Sequence, residues 1–146
     1  MPALLRSLCL CFLGFALLAA SPGAIAQKVK LKQPKMLLQL QEDYSKAIRW
    51  NDFEGAWTLL DPTYREANPV TDAEFSRYEQ IQVTAFEDLD SRVLPDGSVE
   101  RAVRIELVNR HTQSQRTMRF TEVWRYDPKT KRWWLASGLP NFWEGR

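Results

Sequence analysis

Cysteine is nearly missing from this chain. Its two copies, Cys9 and Cys11, both lie in an apolar leader, and neither is preceded by a small residue as in a lipoprotein signal. The rest of the chain therefore has no disulfide, no thiolate nucleophile and no cysteine for a metal. Histidine is scarcer still, with His111 alone, whereas metal sites draw on clustered ligands. An all-oxygen site at Glu87, Asp88 and Asp90 is disfavoured, because neighbouring strand residues diverge to opposite faces. The calcium-loop pattern is missing too. We therefore expect no metal and no other cofactor. Beyond the leader, glycine occurs only at Gly55, Gly97, Gly138 and Gly145, too scattered to cradle a phosphate. There is no Gly-x-Ser-x-Gly elbow to carry a hydrolase nucleophile. The longest apolar run, Leu8 to Ala20, has thirteen residues, against about 20 for a membrane-spanning helix.

What is present begins with that run. Arg6 precedes it; Ser21, Pro22 and Gly23 break it; Ala24-Ile25-Ala26 follows. A charged start, a short apolar centre and a small-residue exit resemble a secretory signal. We expect residues 1–26 to be removed near Ala26. The alternative is an uncleaved anchor, but Lys28, Lys30, Lys32 and Lys35 would oppose the orientation it needs. The expected location is the periplasm, or else the medium, with no stable membrane insertion after cleavage.

Residues 27–34 read as a flexible basic arm and residues 35–146 as a single α+β domain. At this size a chain builds its own core without staples. Leu37, Leu40, Tyr44, Ala47 and Ile48 predict a helix over Lys35 to Arg49. Asn51 or Asp52 can cap a second helix with Phe53, Ala56, Trp57 and Leu60 as its stripe. Asp61-Pro62 ends it. Thr63 to Val70 reads as loop with room for a short strand. Thr71 with Glu74 forms a capping box for a third helix carrying Phe75 and Tyr78.

From Ile81 the period becomes two. Ile81, Val83, Ala85, Leu89 and Val93 are expected on one face of a first strand, and Pro95-Asp96-Gly97 forms a hairpin turn. The return strand alternates Val99, Val103, Ile105 and Leu107 with Arg104, Glu106 and Arg110. The third sets Met118, Phe120, Trp124 and Tyr126 against Thr117, Arg119, Thr121 and Arg125. Arg132 to Ser137 is a fourth, and the apolar tail from Leu139 to Trp143 should pack back on the body. Helices with apolar stripes beside a sheet with one apolar face imply helices packed on that sheet.

The order of elements, with Asn51-Asp52-Phe53-Glu54-Gly55-Ala56-Trp57 between the first helices and Leu59-Leu60-Asp61-Pro62 after them, resembles the nuclear transport factor two-like superfamily. That resemblance implies N-terminal helices wrapped by a curved antiparallel sheet of about four strands, cone-like, with a pocket at the wide end. It also implies frequent pairing of two copies through the sheet. The superfamily holds isomerases, cyclases and non-enzymes, so the fold alone does not settle the function. The isomerase site, a Tyr donor with two acids, does not map residue by residue onto this chain.

Acid–base chemistry is the one enzymatic route left. Strand parity puts Glu122 on the apolar face with Phe120 and Trp124, where a carboxylate's pKa would rise and the group could serve as a general acid or base. Arg101, on the same face between Val99 and Val103, offers the alternative of a structural pair. A ligand pocket would be lined by Tyr44, Trp57, Tyr64, Trp124 and Glu122. Trp133 and Trp134 are adjacent in a strand and must face opposite ways, so one lies outside the main core.

Charge is segregated. Glu42 to Glu100 holds fourteen acids and five bases; Arg101 to Arg132 holds nine bases and three acids. Arg104, Arg119 and Arg125 fall on the outward face and are the candidate partner-binding residues. The expected function is a non-catalytic exported domain that binds a partner protein or envelope polyanion through a basic sheet face; self-association through the sheet is a further option. Such faces also occur as plain solvated surface. Nucleic acid is not expected, since its recognition motifs are missing. The alternative is a small-ligand pocket or isomerase-like enzyme using Glu122.

Overall fold

Pro34 opens α1 (Pro34–Arg49) at the one helix position where a missing N–H is harmless. The computed structural model describes residues 29–143. The leader, its cysteines and the expected cleavage site lie outside them. Leu37, Gln41, Tyr44, Ser45 and Ile48 form the buried stripe of α1. The segment ahead of it is tied down from Leu31 onward, contrary to a free arm up to Pro34. Leu31 packs on the core, the Trp133 indole donates to the Lys32 carbonyl at 2.8 Å, and the Gln33 amide donates to the Tyr126 hydroxyl at 2.8 Å.

Asp52 caps α2 (Phe53–Thr58), accepting from the Gly55 N–H at 2.8 Å. Asn51 has a different task. At φ 60° its side-chain amide donates to the Ile81 carbonyl and accepts from the Val83 N–H, so it joins the helices to the start of the sheet. Where the sequence suggested loop there is another helix, α3 (Pro62–Ala67). Asp61-Pro62 begins it: the Asp61 carboxylate accepts from the Thr63 N–H at 2.9 Å, and Pro62 takes the first turn. α4 (Asp72–Tyr78) carries the expected Thr71–Glu74 capping box.

Strands β1 (Ile81–Val93), β2 (Val99–Asn109), β3 (Gln115–Asp127) and β4 (Arg132–Leu135) pair antiparallel in chain order. Gly97, at φ 84°, turns the first hairpin. β4 stops at Leu135 rather than Ser137. Its far edge is covered, because Leu135 donates to the Leu59 carbonyl and accepts from the Asp61 N–H. Alternation runs unbroken along β2, whose Val99, Arg101, Val103, Ile105 and Leu107 are all buried. In β1 it does not. Register shifts fall between Val83 and Ala85 and between Asp88 and Asp90, and each extra residue swaps the faces. Phe86 and Asp88 therefore take inward positions opposite Ile105 and Val103, and Ala85 turns outward opposite Glu106. Leu89, expected inside, sits in the second bulge and is 39% exposed; Val93 faces inward beyond the cover of the helices, 44% exposed.

The core lies between α1, α2 and the inward face of the sheet. Trp124, Trp133, Tyr44, Ile48 and Phe142 are its largest fully buried members. The tail folds back as expected: the Phe142 ring meets Phe53 and Tyr78 edge-on at 5.7 and 5.8 Å. Fold class is thus α+β, with helices on one face of an open four-stranded antiparallel sheet.

Candidate functional site

Ser91, Arg101 and Glu122 face one another in a single row across β1, β2 and β3. Arg101 is the hub of the interior. It donates to Glu122 Oε2 at 3.3 Å, to the Gln41 carbonyl at 3.3 Å and to Ser45 Oγ at 3.1 Å. It also pairs with Asp88, and its guanidinium lies 5.6 Å from the centre of the Phe86 ring. The Trp124 indole donates to the same Glu122 oxygen at 2.7 Å. Burial pushes the Glu122 carboxyl up to about 7, against the pull of Arg101 and of the indole hydrogen bond. Burial and the neighbouring Glu122 likewise raise the Tyr44 phenol well above its ordinary value. Glu122 Oε1, Tyr44 Oη and Gln41 Nε2 take no protein partner. The sequence placed Arg101 and Glu122 on one face. It missed Asp88, because the bulges in β1 cannot be read from residue types.

The five residues expected to line one pocket divide into two groups. Tyr44, Trp124 and Glu122 are enclosed, each with no exposed surface; the Tyr44 and Trp124 rings meet edge-on at 6.0 Å. Trp57 and Tyr64 lie elsewhere, on a surface cleft of about 290 Å³ with Tyr78, Pro69, Glu74 and Leu139. Nothing in the sequence marked Tyr78 and Glu74 as their neighbours, since α3 and the return of the tail set that arrangement. A larger open cleft of about 570 Å³ runs past Asn51, Ser76, Glu79, Arg110 and His111.

The outward face of the sheet is more mixed than the linear charge count suggested. Arg101 points inward, and Arg116 shares the inward register with Leu107 and donates to the Phe142 carbonyl at 3.0 Å. On β1 and β2 the outward charges are Glu87, Asp90, Arg92, Glu100, Arg104 and Glu106; on β3 and β4 they are Arg119, Arg125, Asp127 and Arg132. Arg104 pairs with Glu87 and Arg92 with Glu100. Arg125 pairs with Asp61, a carboxylate that burial would raise but that Arg125 and the Thr63 N–H hold below its usual range. Arg119 sits directly opposite Arg104 and is exposed. Beside this group the Arg132 guanidinium stacks 4.5 Å from the Trp134 ring centre, so Trp134 is the member of its pair that lies outside the core.

Among the described residues, no group of three or more His, Asp or Glu side chains is arranged to hold a metal ion. No described helix is long and apolar enough to cross a membrane.

Helices on one side of a four-stranded antiparallel sheet define the class, an α+β domain. No protein-family model matches the chain. No curated protein matches it. Among solved structures it is similar to an NTF2-like protein from Cytophaga hutchinsonii, at 23% identity and a TM-score of 0.49, over 74% of this chain and 96% of that one.

Proposed function

We propose that this chain is an exported, non-catalytic binding domain that docks an anionic partner, protein carboxylates or an envelope polyanion, on the β3–β4 half of its outward sheet face. The observation that carries this reading is the cross-strand pair Arg104 and Arg119. Like charges set opposite each other destabilise a sheet, and among the described residues only Arg104 of the two has an acid to answer it. An anion docked on Arg119 would relieve that repulsion, and an extended polyanion following β3 would reach Arg125, about 20 Å along the strand. Trp134, opposite Arg125, adds a flat apolar contact at that end of the face. Support for export rests on the residue pattern from Arg6 to Ala26, and cell fractionation with N-terminal sequencing tests it: the mature chain is expected in the periplasm, starting at Gln27.

The docking test replaces Arg104, Arg119 and Arg125 by alanine and compares retention on immobilised dextran sulfate, and capture from envelope extracts, with the wild type. The variant should elute at lower salt, since each lost contact removes counterion release. Unchanged elution and capture would sink the reading. Sedimentation of the wild type separates self-association, in which the acidic β1–β2 half of a second copy supplies the anions.

A second reading, small-ligand chemistry at Glu122, draws support from a carboxyl whose pKa is about 7, inside the range useful for proton transfer. The Arg101 pair and the enclosed setting weigh against it.

A further inference from the structure

We propose that the cleft between α2, α3 and the returning tail binds a small quaternary ammonium cation. This site is separate from the outward sheet face and independent of the reading given for it. Its walls are aromatic. Trp57 stands at the centre, edge-on to Phe75 at 6.2 Å and to Tyr64 at 6.4 Å, with Tyr78 on the same cleft. All three lining rings remain half-buried, so part of each is open to a ligand. Aromatic faces carry negative charge density and attract desolvated cations, and rings gathered around one space form the known cage for quaternary ammonium groups. The same neighbourhood already holds a cation in this way, for the Arg77 guanidinium lies 4.4 Å from the Trp143 ring centre.

Electrostatics favour the same occupant. Glu74 lines the cleft, and hydrogen bonds from the Thr71 backbone and hydroxyl keep its carboxyl below the ordinary range, so it stays ionised. From Asp52 to Glu79 the chain has seven acids and two bases. Of those acids, Asp61 is answered by Arg125.

Three polar groups of the cleft are already engaged within the fold. Glu74 accepts from Thr71. Asn68 turns its amide nitrogen to the Tyr64 carbonyl at 2.9 Å. Tyr78 donates to the Pro140 carbonyl at 3.5 Å, and burial first of all pushes its phenol up to about 12, so it stays neutral. With these groups taken, the ring faces and the Glu74 charge carry most of the recognition, which suits a cation that needs no hydrogen bonds. The volume, about 290 Å³, lies at the small end of ligand sites, about 300–1,000 Å³, and fits a headgroup rather than an extended chain.

The test titrates tetramethylammonium and choline into the folded protein by calorimetry, beside 3,3-dimethylbutan-1-ol, the neutral isostere of choline. Saturable binding of both cations is expected, with the isostere weaker by about tenfold or more. Trp57→Leu should weaken choline binding by a similar factor. Glu74→Gln keeps the contact to Thr71 while removing the charge, and should weaken it severalfold. Should Trp57→Leu fail to fold, Glu74→Gln and the isostere comparison decide. Sedimentation with phosphatidylcholine vesicles separates the sources: co-sedimentation that free choline displaces assigns a lipid headgroup, and its absence together with free choline binding assigns a soluble cation. Failure of both cations to bind at millimolar concentration, or equal binding of the isostere, overturns the proposal. Neither result bears on Arg119 and the sheet face.

Discussion

A buried arginine ties α1 to the sheet by hydrogen bonds, and its partners set how the interior responds to pH. Arg101 reaches Gln41 and Ser45 on α1, Asp88 on β1 and Glu122 on β3. Removing it leaves the Glu122 carboxyl buried without a counter-charge. Arg101→Ala is therefore expected to cost about 3–5 kcal/mol in urea denaturation; a loss under about 1 kcal/mol would mean that Glu122 is already neutral in the fold. The Glu122 carboxyl stands at about 7 in the folded chain, against an ordinary value of 4.5. Between those values the folded state holds more protons than the unfolded one. The residue's contribution to stability thus declines as pH rises through that window and levels off above it. Denaturation of wild type and Glu122→Gln from about pH 4 to about pH 8 should give a difference that changes across the window. A flat difference would mean that Arg101 keeps the carboxylate ionised throughout. Parity along β2 and β3 made the Arg101–Glu122 pair legible, because neither strand contains a bulge. Asp88 was hidden by the two shifts in β1, a strand without glycine or proline to announce them.

Short helices depend on their ends. α2, α3 and α4 have six, six and seven residues, too few to be stable by propensity alone. Each starts on a side-chain cap: Asp52, Asp61 and Thr71. Thr71→Ala removes the reciprocal bonds with Glu74 and should cost ~1 kcal/mol, read as a shift of the urea midpoint at unchanged slope. No shift would indicate that packing of Phe75 against Trp57 holds α4 without its cap. The same signals governed what could be read in advance. Thr71-x-x-Glu74 gave α4 directly, and Asp52 was one of two candidates for α2. At Asp61-Pro62 the proline was read as a stop, yet the pair also forms a cap and first turn. A dipeptide that both forbids helix behind it and permits helix ahead is ambiguous without the tertiary context. Asn51 was likewise ambiguous, and its left-handed conformation freed its side chain to bond to β1 instead.

Taken as a whole, the molecule divides its charges by face rather than by stretch of sequence. The linear count gave residues 101–132 nine bases to three acids, but Arg101 and Arg116 point into the molecule and Arg104 and Arg125 meet acids. The candidate ligand set divides at this scale too, since Tyr44, Trp124 and Glu122 lie in the interior and Trp57 and Tyr64 on a surface cleft. The tail is integral to the body. Phe142 is fully buried among Phe53 and Tyr78, and the Tyr64 hydroxyl rests against Gly138. A chain ending at Gly138 exposes that ring cluster and should lose at least the ~3–5 kcal/mol typical of deleting a buried phenylalanine; a thermal melt unchanged by truncation would contradict the packing. The two rims of the sheet are treated differently. β4 is sealed by Leu59 and Asp61, and the first residues of β1 by the Asn51 amide. The stretch from Ala85 to Val93 leaves backbone groups open, and there the second bulge, with Asp90 and Arg92, breaks the straight template that another strand would need. The irregularity that concealed Asp88 from a reader of the sequence thereby guards the chain against fibril growth.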